Sequence, residues 1–187
     1  HEILILSYAA TFYTDENSFQ KFWWTSYGVR DVKAVLVSLK ELGFLQISDV
    51  RATLERQTVA DIKEFLKSNS KKTTEKKADL VQRVLDELPE SQVMKRVPKR
   101  TYCLTEAGQL ALDESAYIPY IHRKSIEDLD IWSLNRLVNT KPLMSYRDII
   151  WGYLNKRSMQ YISDNDFGLY RNCRFQMAQF LMDEKKY

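Results

Sequence analysis

Three kinds of side chain in this 187-residue chain have types and spacings that could support chemistry. The first are the carboxylate pairs Asp128 with Asp130 and Asp164 with Asp166, which could hold a divalent metal for phosphodiester hydrolysis. Both pairs lie in segments that need helix caps and polar loops in any case, so they do not by themselves make a nuclease. The second are thiols and imidazoles. Cys103 and Cys173, the only cysteines, are far apart and lack CxxC spacing, which argues against a disulfide framework and against a zinc site. His1 and His122 have no Cys or acidic partner at ligand spacing, and His122 reads as a structural residue. No GxSxG, P-loop, HExxH or paired Cys–His signature occurs. A non-enzymatic protein with no metal and no cofactor is the expectation.

The third kind is cationic. Net charge is only +3, so its distribution carries the information. Residues 1–50 hold 4 basic and 6 acidic side chains, residues 101–187 hold 11 of each, and residues 51–100 hold 13 basic against 8 acidic. The positive charge therefore lies in the middle, in two clusters: Lys71, Lys72, Lys76 and Lys77, then Lys95, Arg96, Lys99 and Arg100. Such clusters suit phosphate, yet a bare lysine cluster is more often a solvated loop. The elements that position them must decide.

Those elements are predominantly helical, since only four prolines and five glycines interrupt a composition of 44% hydrophobic and 28% charged residues. Thr58 with Asp61 forms a capping-box pattern, and Val59, Ile62, Phe65 and Leu66 then recur at helical spacing. Ser70 to Thr74 is polar, and Thr74 is placed to cap a second helix with Leu80, Val81, Val84, Leu85 and Leu88 on its apolar face. Two short helices joined by a basic loop follow.

Through Val59, Ile62-Lys63 and Leu66, then Lys76-Lys77-Ala78-Asp79-Leu80-Val81 and Arg83, this segment resembles the SAP domain, a helix, extended turn, helix module that binds DNA. The resemblance implies that the second helix offers its N-terminal N–H groups to phosphate, with Lys63, Lys71, Lys72, Thr74, Lys76, Lys77 and Arg83 around it. It implies affinity with modest sequence preference, because phosphate contacts do not read bases. Ser70 and Glu75 stand where the family usually has glycines, and Lys71 where it usually has an apolar residue. Glu75 suits the helix dipole but repels phosphate. The alternative is a small helical insertion that only packs against its neighbours.

Ile3, Leu6 and Ala10 suggest a first helix, Phe19, Phe22, Trp23 and Trp24 a short second one, and Val32, Val35, Leu36, Leu39 and Leu42 a third, ended by Gly43. Phe44 to Ile47 reads as a strand, Arg100 to Leu104 as its antiparallel partner, and Thr105 as the cap of a helix through Leu112. The helix followed by Leu42-Gly43-Phe44-Leu45, with the later Tyr102-x-Leu104-Thr105-x-x-Gly108, resembles the strand pair and final helix of winged-helix proteins. About fifty residues intervene where that family has a short wing, so the resemblance implies that the SAP-like module is an insertion there. The third helix, Val29 to Leu42, is the candidate recognition helix with Arg30 and Lys33 as contacts, although Asp31 and Glu41 leave its surface nearly neutral.

In the last third, Ser125 with Asp128 and Ser145 with Asp148 look like helix starts, and Tyr170, Cys173, Met177, Phe180 and Leu181 form a stripe on a final helix. Trp132 and Trp151 read as packing residues. The final helix is similar to the opening helix of a tetratricopeptide-like pair, which suggests a truncated region. The expected fold is mainly α: a winged helix with a small antiparallel strand pair over 1–56 and 96–122, a SAP-like helical insertion over 57–88, and a helical C-terminal region over 123–187. As a whole the chain resembles SAP-domain-containing proteins of Gram-positive bacteria and their prophages. The longest apolar stretch, Ile3 to Phe12, is far short of the roughly 20 residues of a membrane span, and a cytoplasmic protein with no membrane contact is expected. DNA is the expected partner. The alternative is a protein-interaction adaptor that works through the C-terminal helices.

Overall fold

The computed structural model describes residues 1–96 and 100–183, with no description of the Arg96 side chain. It is 66% helix, and the sheet is a single antiparallel strand pair. The chain forms two compact units, His1–Glu114 and Ser115–Tyr187. The helix Tyr117–Arg123, grouped by sequence with the winged helix, clusters with the second unit.

The first unit opens with α1 (Glu2–Tyr8), a 3-10 turn (Ala9–Thr11), α2 (Phe22–Thr25) and α3 (Val32–Glu41). Asp31 caps α3 by accepting from Ala34 N–H at 2.9 Å, and Val32, Leu36 and Leu39 are buried. Gly43, at φ 82°, ends the helix, with Phe44 N–H reaching Leu39 O at 2.9 Å and Gly43 N–H reaching Lys40 O at 3.0 Å. This is the two-bond termination that a left-handed residue permits. Leu42, expected on the apolar stripe, is 67% exposed, because α3 stops at Glu41 and the terminating turn carries Leu42 outward.

The strand expectation holds. Strands β1 (Leu45–Ile47) and β2 (Tyr102–Leu104) pair antiparallel, with Leu45 opposite Leu104 and Ile47 opposite Tyr102. The other edge of β2 carries a further segment, with Tyr13 bridged to Thr101 and Tyr102 N–H donating to Phe12 O at 3.3 Å. Thr105 fastens the next helix, α8 (Glu106–Glu114): its hydroxyl donates to Gly43 O at 2.6 Å and accepts from Gly108 N–H at 3.1 Å. A Cβ at Gly108 would land on the Phe44 carbonyl, so only glycine permits this close approach.

Between the strands lie α4 (Val50–Arg56), α5 (Val59–Ser68), α6 (Lys77–Glu87) and α7 (Glu90–Arg96). They share a core of Leu54, Ile62, Phe65, Leu66, Leu80, Val81, Val84, Leu88 and Val93. The Thr58–Asp61 capping box is present. Thr74, however, does not cap α6: Lys76 occupies that position without a side-chain hydrogen bond. Glu75 is drawn to Arg83 at a bend in the chain, and Lys76 is still extended, so the helix begins only at Lys77. The excursion leaves and returns at one place. Ser48 N–H donates to Thr101 O at 2.9 Å, Thr101 N–H to Ser48 Oγ at 3.2 Å, and the buried Ser48 and Thr53 hydroxyls lie 3.0 Å apart. Arg56 donates to Ala10 O at 2.7 Å and to the Thr101 hydroxyl.

The second unit comprises α9 (Tyr117–Arg123), α10 (Ile131–Thr140), α11 (Tyr146–Ser163) and α12 (Phe167–Asp183). The helix start expected at Ser125 is instead at Ile131, capped by Asp130 with Ser133. Ile126 and Leu129 bridge across a tight turn at Glu127, φ 46°, whose carboxylate accepts from the Tyr161 hydroxyl at 2.6 Å. That bond raises the Tyr161 pKa to about 12. Ser145 caps α11 as expected. On α12, Cys173, Met177 and Phe180 are buried. Trp151 stacks on Phe180, whereas Trp132, expected in the core, is 46% exposed.

Candidate nucleic-acid interface

The α5–α6 loop begins with a strained residue. Ser70 adopts φ 58°, where the chain closes α5 through Lys71 N–H to Leu66 O at 2.9 Å and Ser70 N–H to Lys67 O at 3.0 Å. The left-handed position marked by the missing glycine is therefore retained, at an energetic cost to serine. This turn sends Lys71 back toward α6, where its ammonium lies 3.1 Å from Glu87.

Around Arg83 a closed ion network forms. Its guanidinium donates to both Glu75 oxygens at 2.7 Å and, through Nε, to Glu87 at 2.9 Å. It also donates to Lys72 O at 3.1 Å, and the Lys72 ammonium stands 3.8 Å from Glu75. A fork-shaped cation that meets carboxylates in this way is geometrically committed. The hydrogen bond from Lys71, followed by that from Arg83, holds the Glu87 carboxyl below its usual range, and Glu75 raises the pKa of Arg83. Lys71, Lys72 and Arg83, all expected at phosphate, are thus brought together but matched by Glu75 and Glu87.

Lys76 and Lys77 differ. Neither makes an ion pair within the described residues, and Lys76 is exposed. The first intrahelical bond of α6 runs from Leu80 N–H to Lys76 O at 3.0 Å, and no side chain caps the helix. The N–H groups of Lys77, Ala78 and Asp79 therefore face outward from a helix end of partial positive charge. Glu75, the residue expected to repel phosphate here, is held by Arg83 instead. Asp79 is the one carboxylate left in that turn.

The remaining candidates are scattered. Lys63 is half-buried on α5, Thr74 is exposed in the loop, and Lys95 sits on α7 beside a shallow recess lined by Glu64, Phe65 and Asn69. Arg100 donates to the Met94 sulfur at 3.3 Å. Lys99 and the Arg96 side chain fall outside the described residues. Arg30 is exposed at the start of α3, and Lys33 donates to Asn17 Oδ1 at 2.6 Å. Glu87 carried no local sign of being a partner, because its link to Lys71 spans the loop and about three turns of helix.

The carboxylate pairs serve as caps and turns: Asp130 caps α10, Asp166 accepts from Leu169 N–H at 2.9 Å, and Asp164 accepts from the Gln160 amide at 2.9 Å. Asp128 lies 3.4 Å from Arg157. Among the described residues no group of three or more His, Cys, Asp or Glu side chains is placed to hold a metal, and no helix is long and apolar enough to cross a membrane. Comparison with known proteins finds no matching family model, no matching curated protein and no matching solved structure.

Proposed function

We propose that the chain is a non-enzymatic DNA-binding protein that holds the phosphate backbone at the N-terminus of α6, in the manner of a SAP module inserted into a winged helix. The observation that carries this is the uncapped α6 end, where three outward N–H groups stand beside two unpaired lysines while the neighbouring glutamate is tied to Arg83. The order α1, α2, α3, β1, β2, α8, with an edge segment at Tyr13, supports the winged-helix part. Contact through backbone phosphate implies modest sequence preference. The two cysteines, Cys103 and Cys173, are free, which suits a cytoplasmic setting.

The test is duplex binding across a salt series. Each phosphate neutralised contributes a slope of about −0.9 in log affinity against log salt. Replacing Lys76 and Lys77 with glutamine is expected to flatten that slope by up to about 1.8 units. An unchanged slope in a folded variant removes the α6 site.

A second reading, a protein-interaction adaptor, is favoured by α12, where Phe167, Phe175 and Met182 are each more than 60% exposed. At 100° per residue these three share the face opposite Cys173 and Phe180. Serine at Phe167 and Phe175 would leave DNA binding untouched and abolish any partner contact made there.

A further inference from the structure

We propose that the cleft at the start of α3 takes one unpaired nucleotide, its base stacked on Trp24 and its phosphate met by Lys21, Arg30 and Lys33. This deepens the DNA-binding reading, on which it rests, by naming single-stranded nucleic acid as a ligand.

The adjacent tryptophans of α2 have opposite fates. Trp23 is 1% exposed, ringed by Tyr8, Phe12, Phe22 and Tyr27, and its indole N–H donates to Gln20 at 3.1 Å. Trp24 is 61% exposed. Its backbone is nevertheless fixed, since Gly28 N–H donates to Trp24 O at 3.1 Å and Val29 N–H to Trp23 O at 2.8 Å. A large planar side chain with few rotatable bonds, carried on a hydrogen-bonded backbone and left in water, is suited to be a stacking platform.

Trp24 forms part of the lining of a cleft of about 620 Å³ that also includes Lys21, Arg30, Lys33, Asn17 and Asp31. Lys33 is oriented by Asn17 Oδ1 at 2.6 Å, while Lys21 and Arg30 make no ion pair within the described residues. The one carboxylate, Asp31, is occupied by Ala34 N–H at 2.9 Å. Three cations lining the same cleft as one exposed aromatic side chain match the pairing of phosphate with a base, and stacking tolerates any base because every base has a π-face. In a duplex both faces of each base are covered, so the site discriminates toward unpaired strands.

The experiment measures binding of a short oligothymidine, of thymidine monophosphate and of a random-sequence duplex to the wild-type chain and to Trp24→Ala and Trp24→Phe. The expected result is at least about a 5-fold loss of oligothymidine affinity in Trp24→Ala, with near wild-type affinity in Trp24→Phe, which keeps a π-face. Duplex affinity should be the same in all three. Oligothymidine binding unchanged in Trp24→Ala overturns the proposal, and does so without touching the α6 reading if the duplex still binds. Failure of the duplex to bind, with strand binding that depends on Trp24, removes the α6 reading and leaves this one standing. Thymidine monophosphate bound as tightly as the oligomer, with the same Trp24 dependence, identifies the nucleotide itself as the ligand.

Discussion

Lys71 and Lys72 stand within a few residues of Lys76 and Lys77, on the same loop, and the fold treats the two pairs differently. The first pair, following the Ser70 turn, faces the carboxylates of Glu75 and Glu87, Lys71 at 3.1 Å from Glu87 and the exposed Lys72 at 3.8 Å from Glu75. The second flanks an open helix end. Formal charge per residue is identical, yet only the second pair has no carboxylate partner within ion-pair distance among the described residues, so a phosphate meets it without competition from an acid. A cluster's count of cations therefore overstates its electrostatic reach wherever acidic residues lie one or two helical turns away.

Removing the acids should erase the difference between the two lysine pairs. Glutamine at Glu75 and Glu87 together would free Lys71, Lys72 and Arg83, and the salt slope of duplex binding should steepen by up to about 2.7 units if all three then reach phosphate. A salt series on the double variant checks this, and a slope equal to wild type shows that these cations point away from any strand. A smaller effect is expected at Ser70. Its left-handed conformation costs serine about 1 kcal/mol relative to glycine, so Ser70→Gly should raise stability by about that amount in a urea titration. Duplex affinity should not change, because the turn itself is kept.

The smallest effect concerns acid. Glu87 titrates below its ordinary value in the folded protein, so its contribution to stability is fully present above the ordinary carboxylate pKa near 4.5 and is lost as pH falls through its lowered folded value. Glu87→Gln lacks that contribution at every pH. Denaturation midpoints of the two proteins should differ at neutral pH and converge in acid, and a constant gap would show that Glu87 is not the titrating group.

What could be read in advance depended on the range of the signal. The Thr58–Asp61 box, the Ser145 cap and the Gly43 termination each lie within one helical turn, and each is found as expected. The strand pairing across the long excursion was legible only through the resemblance of both flanks to winged-helix proteins, and the structure supplies its physical reason in the contacts of Thr105 and Gly108 with Gly43 and Phe44. Helix α4 was missed although Asp49 caps it. Its few apolar residues give little periodicity, and its burial is settled by contact with α6. Thr74 and Ser125 were plausible caps that lost to longer-range bonds, from Glu75 to Arg83 and from Tyr161 to Glu127. Of the candidate site, the helix end and its lysines were visible, while the Arg83 network depends on a turn whose geometry no local pattern displays. The split between Trp23 and Trp24 was hidden for the same reason, since neighbouring residues on a short helix carry no label for inside and outside.

The joint at Ser48 and Thr101 has a mechanical consequence. Beside the strand pair, the described ends of the excursion meet at a cluster of the Ser48, Thr53 and Thr101 hydroxyls and the Arg56 guanidinium, which also grips Ala10 O. A tug applied at the far end of α6 is transmitted to the sheet through that small bolted joint. Two neighbouring strands alone would act as a swivel, but Arg56 adds a third anchorage off their axis and resists rotation. Among the described residues the excursion is therefore tied to the strand pair at three points rather than two, in the manner of a bracket.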